Sequence, residues 1–448
     1  MRTTLILALA CLLSSPAWGE APANSQNVLP QDNWPQWRGP LANGFSPTAD
    51  PPVTWSADKN IKWKVPVPGQ GESTPIVWGQ KIFITTAIKT DREQEQPPAD
   101  NPEAPGGNPF RIERPKHYYQ FVVQCYDRGT GKLLWQKTAT EEVPHEGHHK
   151  DHGYASPSPV TDGNVLVTSF GSRGIYAWDL DGNPLWNRKL GPLHIYRFFG
   201  EAASPALDSG MLFVAWDHEG DSALHAIDAR TGETRWQVAR EPHTSWSTPL
   251  VTEFGGRKQV VVNSNSKARG YDFANGEVLW ECGGQTRAII PCPLVHDGRV
   301  FLMSGYPESA LLAVPLDAAG DITGSEKVAW SRNQDTPYCP SALLMGDRLY
   351  FNKSNTAILT SLNARTGEPI IERKRLPDLK NIYASPVGAA GRIYFTDRDG
   401  TTLVLADASA VEVLATNKLE DQIDASPALA GKDLIVRSKK NLYCISAE

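Results

Sequence analysis

The chain has 448 residues and carries a net charge of −6. That balance excludes a protein built around nucleic acid or an anionic membrane surface. Its 37 Gly, 35 Pro and 14 Trp point to many turns and aromatic-braced strands rather than to helices.

The N-terminus reads as a secretory leader over residues 1–19. Arg2 supplies the positive region, Leu5 to Leu13 the short apolar region, and Ala17-Trp18-Gly19 the small-x-small cleavage site. The mature chain is then expected to begin near Glu20, exported to the periplasm or the outside. Lipid anchoring through Cys11 is disfavoured, because Ala8-Leu9-Ala10 is a poor lipobox. No later run of about 18 apolar residues exists, so no transmembrane segment is expected. Residues 20–59 form an N-terminal extension before a repeat domain over 60–448.

The repeat domain announces itself through two strings. The first is Ser-x-Pro or a close variant, a few residues before Gly and an apolar run. It occurs at Ser73-Thr74-Pro75, Ser158-Pro159, Ser204-Pro205, Ser247-Thr248-Pro249, Pro291-Cys292-Pro293, Ser385-Pro386 and Ser426-Pro427, with a degenerate copy at Pro340-Ser341-Ala342. From the second copy onward the spacing is 41–49 residues. The second string places a small residue, an Asp, a Gly-containing turn and a Trp in fixed order. Examples are Cys125-Tyr126-Asp127 to Trp135, Ala177-Trp178-Asp179 to Trp186, Ala226-Ile227-Asp228 to Trp236 and Gly270-Tyr271-Asp272 to Trp280. Such a string is two short strands joined by a hairpin.

Each period therefore holds four strands, the arithmetic of a propeller blade. Eight copies predict an all-β, eight-bladed β-propeller of four-stranded antiparallel blades. The last copy lacks its outer strand, and Ile61-Lys62-Trp63-Lys64-Val65 is an outer strand with no blade of its own. The N-terminal strand is thus predicted to complete the last blade and close the ring. Trp63, Trp135, Trp186, Trp236, Trp280 and Trp330 should pack between blades. Cys125, Cys282, Cys292, Cys339 and Cys444 are odd in number and show no C-x-x-C; the small-residue column they partly share favours inert packing.

Loop placement then locates candidate sites. Strand direction alternates, so the loops entering each inner strand surround one mouth of the channel. Residues 89–117, rich in Pro, Gly and charge, interrupt the first blade as a lid, a docking arm or a disordered insertion. Next comes Pro144-His145-Glu146-Gly147-His148-His149-Lys150-Asp151-His152, which contains a formal H-E-x-x-H string. A peptidase needs that string on a helix; Pro144, Gly147 and a following strand deny it one. Simple transition-metal binding by His145, His148, His149 and His152, with Asp151, stays open beside a solvent-facing loop. Around the same mouth the order of loops brings Tyr196, Arg197 and Glu201, then His243 and Trp246, then Arg287, Tyr338, Tyr383 and Asp424. Of these, Arg197, Glu201, His243, Trp246, Arg287, Tyr338 and Tyr383 are the candidate ligand-binding set: cations, a carboxylate and aromatics suited to a small polar ligand, a polysaccharide or a protein partner.

Repeats such as Ala226-Ile227-Asp228-Ala229-Arg230-Thr231-Gly232 resemble the PQQ-like repeats of quinoprotein-type propellers. Asn33-Trp34-Pro35-Gln36-Trp37-Arg38-Gly39-Pro40 and Asn381-Ile382-Tyr383-Ala384-Ser385-Pro386 resemble exported bacterial members. The resemblance implies the propeller fold. It is compatible with dehydrogenases that bind pyrroloquinoline quinone with calcium and with the assembly factor BamB, which binds none. The vicinal cysteines common in the dehydrogenases are missing here, and no calcium-ligating Asp, Glu and Asn set matches defined positions. The favoured expectation is a non-catalytic binding or scaffold propeller; the alternative is a quinone-dependent oxidation of an alcohol or sugar.

Overall fold

The structure is a computed structural model that describes residues 32–96, 98, 110 and 112–447. The expected leader with its cleavage site, and most of the loop between 94 and 116, lie outside the described residues.

Eight antiparallel sheets form the eight blades. Blade 1 consists of Ile76–Trp78, Lys81–Glu93, His117–Asp127 and Leu133–Glu142. The last blade runs Ala428–Ala430, Asp433–Arg437 and Asn441–Ser446, and Ile61–Pro66 pairs antiparallel with its third strand, Trp63 opposite Cys444. The predicted closure is therefore present: the N-terminal strand supplies the fourth strand that the last blade lacks. Among the described residues no helix is long and apolar enough to cross a membrane.

The recurring small residue and Trp face each other across the third and fourth strands. Cys125 lies opposite Trp135, Ala177 opposite Trp186 and Ala226 opposite Trp236. A small partner leaves room for the indole, which leans onto the next blade. There its N–H donates to the carbonyl following the repeat Asp: Trp63 to Arg128 at 2.9 Å, Trp186 to Ala229 at 2.8 Å, Trp236 to Phe273 at 3.1 Å. The ring of each indole covers the next blade's turn glycine. A Cβ on Gly232 would lie 2.8 Å from Trp186. The Asp in turn closes the hairpin, as Asp228 does by accepting from the amides of Arg230 and Thr231, both at 2.9 Å. Trp280 departs from this pattern because blade 5 carries a long insertion where the turn would be. Its N–H goes to Gln259 at 2.8 Å, whose amide nitrogen reaches the equivalent carbonyl of Leu316 at 2.9 Å.

The Ser-x-Pro string also acquires a cause. The residue just before the proline uses its hydroxyl to accept the amide of its counterpart in the preceding blade. Thr74 N–H donates to Ser158, Ser158 to Ser204, Ser341 to Ser385 and Ser385 to Ser426, each at 2.9 Å, and Cys292 donates to Ser341 at 3.0 Å. A belt of hydroxyls thus stitches the inner strands together, with the Cys292 thiol standing at one hydroxyl position.

Inside this belt run residues 34–46 of the N-terminal extension. Trp34 pairs with Val77, the amide of Thr161 donates to Pro35, and Phe45–Ser46 runs parallel to blade 7 beside Gly388 and Ala389. Arg38 is 3% exposed and donates to the carbonyls of Ala342 at 2.8 Å and Pro386 at 3.1 Å. Gly44, at φ +86°, must be glycine, since a Cβ there would overlap the Arg38 guanidinium. The segment spans blades that are far apart in sequence, so it fastens the ring from within.

Candidate functional site at the mouth of the ring

A cavity of about 310 Å³ opens on the face formed by the loops that enter the inner strands. One position of the repeat supplies its wall. The residue three before each motif proline, or before Ala342 in the sixth copy, lines the cavity in all eight blades. Going round the ring, Asp424, Glu72 and Ser156 form a polar arc. Ala202, Trp246, Ile290, Cys339 and Tyr383 form an apolar and aromatic arc opposite. Phe199 and Tyr338 widen the aromatic side, and Trp37, from the segment threaded through the ring, contributes from within, its N–H directed at Ser426 at 3.4 Å.

The polar arc is a continuous ionic chain. Lys439 lies 2.5 Å from Glu72 and 3.1 Å from Asp424. Arg398 contacts Asp424 at 2.6 Å and reaches Asp151 of the histidine loop at 3.1 Å, its guanidinium 4.2 Å from the centre of the Tyr383 ring. Burial alone would raise Glu72; the Lys439 charge, His152 and hydrogen bonds from Lys439 and Ser156 prevail and hold it below the ordinary carboxylate range. His152 is pushed down to about 4, chiefly by burial. Neutral, it donates from Nδ1 to the Gly153 carbonyl at 2.8 Å. Tyr338 is stacked on Tyr306 with centroids 5.1 Å apart, and Trp246 donates to the Gly200 carbonyl at 2.7 Å, so the aromatic side is held in place.

The structure brings Trp246, Tyr338, Tyr383, His149, His152, Asp151 and Asp424 to this cavity. Arg197 lies outside it, over the rings of Tyr196 and Phe110. Glu201 turns behind the loop and accepts from Ser172, from its amide at 2.8 Å and its hydroxyl at 2.5 Å. His243 and Arg287 are exposed and do not line the cavity.

The four loop histidines do not meet at one centre, although the rings of His148 and His152 stand 6.1 Å apart. His148 donates to the His149 carbonyl at 2.8 Å and sits edge-on to Tyr154, while His149 packs against Phe199. His145 turns inward beside Glu146 and meets His194 from the next loop, ring centroids 5.3 Å apart. Burial, reinforced by the charge of Glu201, pushes Glu146 up to about 8.

Glu72, Arg398, Lys439, Phe199 and Trp37 are cavity or network residues that motif reasoning missed. For Glu72 the signal was available, because it occupies the wall position of the repeat. Arg398 and Lys439 come from turns between second and third strands, where no recurring residue marks them. Cys125, Cys282, Cys292, Cys339 and Cys444 are free thiols; all but Cys339, which lines the cavity, are buried.

Comparison with known proteins places these features in context. The PQQ_2 family model, described as outer membrane protein assembly factor BamB, matches residues 120–373. A polyvinylalcohol dehydrogenase from Pseudomonas sp is 23% identical over 356 residues, 66% of this chain and 51% of that protein. The chain thus spans about half the length of that relative. Among solved structures, BamB from Moraxella catarrhalis superposes with a TM-score of 0.54 at 17% identity, covering 81% of this chain and 98% of that one. The quinohemoprotein alcohol dehydrogenase ADHIIG from Pseudomonas putida HK5 gives 0.56 at 10% identity, covering 93% of this chain and 81% of that one. These likenesses show the fold.

The fold family raises the question of a quinone with calcium. Calcium takes roughly six to eight oxygen ligands, carboxylates prominent among them. Glu72, Asp424 and Asp151 are each already bound to Lys439 or Arg398. The same two cations are thereby unavailable to the carboxylates of a quinone. The residues at this mouth do not fit that pair.

Proposed function

The chain belongs to the PQQ_2 family, and from that premise we propose that it is an exported, non-catalytic propeller whose mouth is a binding surface. The observation that carries this reading is the two-sided wall: one repeat position gives carboxylates and a serine on one arc and aromatic and apolar side chains on the other. A ligand with a flat C–H face and a rim of hydroxyls suits such a wall, as a sugar ring of a polysaccharide does. The aromatic arc would cover its face, and the carboxylates and Arg398 would bond its hydroxyls. Every carboxylate there is paired with Lys439 or Arg398, which favours hydrogen bonding over proton abstraction. The family's description as an assembly factor extends the reading to a protein partner on the same face.

Isothermal titration of the untagged protein with a panel of neutral oligosaccharides tests it. Binding is expected, and Tyr338→Ala, at a half-buried aromatic, should weaken it about tenfold or more while leaving the melting temperature near the parent's. Failure of every oligosaccharide to bind, or binding that Tyr338→Ala and Asp151→Asn both leave untouched, removes this reading.

The similarity to a polyvinylalcohol dehydrogenase favours oxidation of an alcohol as a second reading, one that requires the Lys439 and Arg398 ion pairs to open before a quinone with calcium could enter the mouth. Addition of pyrroloquinoline quinone and calcium, with dye reduction as the readout, decides between the two. Turnover would displace the binding reading.

A further inference from the structure

We propose that His145, Glu146 and His194 bind one zinc-class divalent ion, which clips the loop leaving blade 1 to the loop leaving blade 2. The Nε2 of His145 lies 3.6 Å, and the Nδ1 of His194 3.5 Å, from the same Glu146 oxygen, Oε1. All three ligand atoms fall within 4.8 Å of one another. These separations are too long for hydrogen bonds. The two distances to Glu146 match ligands that share an ion, since a tetrahedral site with bonds of about 2.1 Å sets its ligand atoms about 3.4 Å apart.

The carboxylate supplies the independent observation. Glu146 is 5% exposed, and its Oε1 has no hydrogen-bond donor among the described residues. Its other oxygen is fixed by the Ile195 amide at 3.1 Å, which aims Oε1 at the two imidazoles. A buried carboxylate oxygen left without a donor is costly, and a cation removes that cost. The His194 backbone is held on both sides, its amide donating to His218 Nδ1 at 3.1 Å and its carbonyl accepting from Glu219 at 2.8 Å. Its side chain is 41% exposed, which gives an ion an entry path and a water the fourth position. Two imidazoles and one carboxylate suit zinc better than calcium or magnesium.

The site uses one of the histidine loop's four imidazoles and takes its second from 49 residues further on. His148 and His152 spend their Nδ1 atoms on backbone carbonyls. The ion would join two entry loops that flank the mouth, and it stands independently of what the mouth binds.

The test uses the untagged full chain, stripped with a chelator and titrated with zinc against a chromophoric competitor. One equivalent should bind tightly, and cobalt in its place should give the intense visible bands of a tetrahedral site. His194→Ala, at an exposed side chain, should weaken zinc by at least about 100-fold and abolish the zinc-dependent rise in melting temperature. A triple variant, His148→Gln, His149→Gln and His152→Gln, should bind zinc as the parent does. His194→Gln serves as a second probe should the alanine variant fail to fold. The proposal is overturned if the parent binds no stoichiometric zinc, or if the triple variant loses binding that the His194 variants keep.

Discussion

Arg398 donates from Nη2 to Asp151 at 3.1 Å, tying the histidine loop to a turn of blade 7 across the mouth of the ring. Its Nε is at the same time 2.6 Å from Asp424, whose side chain is 3% exposed. The two contacts differ in depth, so their loss should differ in cost. Arg398→Ala leaves a buried carboxylate with Lys439 as its one cation, and should destabilise by about 2–4 kcal/mol. Asp151→Asn keeps the deeper pair and should cost about 1 kcal/mol or less. Chemical denaturation measures both. Equal costs would sink the assignment, and hydrogen exchange at residues 149–154 should quicken in both variants.

The contact of Trp186 with the following blade can be isolated with a matched pair of glycines. Gly232 sits at φ +75° beneath the indole, and Gly210 at φ +74° has nothing within 4 Å of its Cβ direction. Alanine at Gly210 meets only the backbone strain, about 1–2 kcal/mol. Alanine at Gly232 meets the same strain and the indole as well, adding about 1–3 kcal/mol. The measured difference between the two variants is the blade-to-blade term. A difference near zero would mean that the Trp column does not hold blades together.

The fold was legible because the repeat is written in residue types that each have one job. Trp63 and Cys444, from opposite ends of the chain, belong to columns of the same repeat and meet as paired neighbours in the last blade. The site was legible only in part, for two physical reasons. The entry loops vary in length, so Arg197, His243 and Arg287 share the face but turn away from the cavity, while the wall position three before each proline stays in register. The histidine loop has no regular period: His148 and His152 follow local backbone bonds, while Glu146 and Asp151 are held by partners from other loops. A Cβ at Gly147 would lie 2.4 Å from the Glu113 carbonyl, so the chain there is pressed against a neighbour the sequence did not reveal. Arg398 and Lys439 were invisible because their role depends on carboxylates from other blades.

The hydroxyl belt makes a prediction about Cys292. It occupies the belt position where other blades carry Ser or Thr, its amide donates to Ser341 at 3.0 Å, and it is 5% exposed. Burial, more than anything else, raises its thiol pKa. Cys292→Ser should therefore restore the belt at a cost within about 1 kcal/mol, whereas Ser341→Ala should cost about 1–2 kcal/mol by leaving the Cys292 amide without an acceptor. Thermal unfolding ranks the two. Labelling of native Cys292 by a thiol reagent on the time scale of an exposed cysteine would contradict the packing role.

His225 sets a pH dependence away from the mouth. It is 7% exposed within blade 3, and burial, with the Arg188 charge second, pushes it from 6.5 down to about 4. The folded state then keeps this imidazole neutral over a range in which the unfolded chain protonates it. Stability is therefore full above about pH 6.5 and falls as pH drops toward 4, by about 1.4 kcal/mol per pH unit for this one group. His148, His152 and His218 are also lowered by burial, so the parent's slope should exceed that figure. The informative quantity is the difference between the parent and His225→Gln, followed by urea denaturation from pH 7.5 to 4.5. The variant should lose less stability on acidification, with the curves parallel above pH 7. Curves parallel throughout would show that His225 takes up its proton in the folded protein.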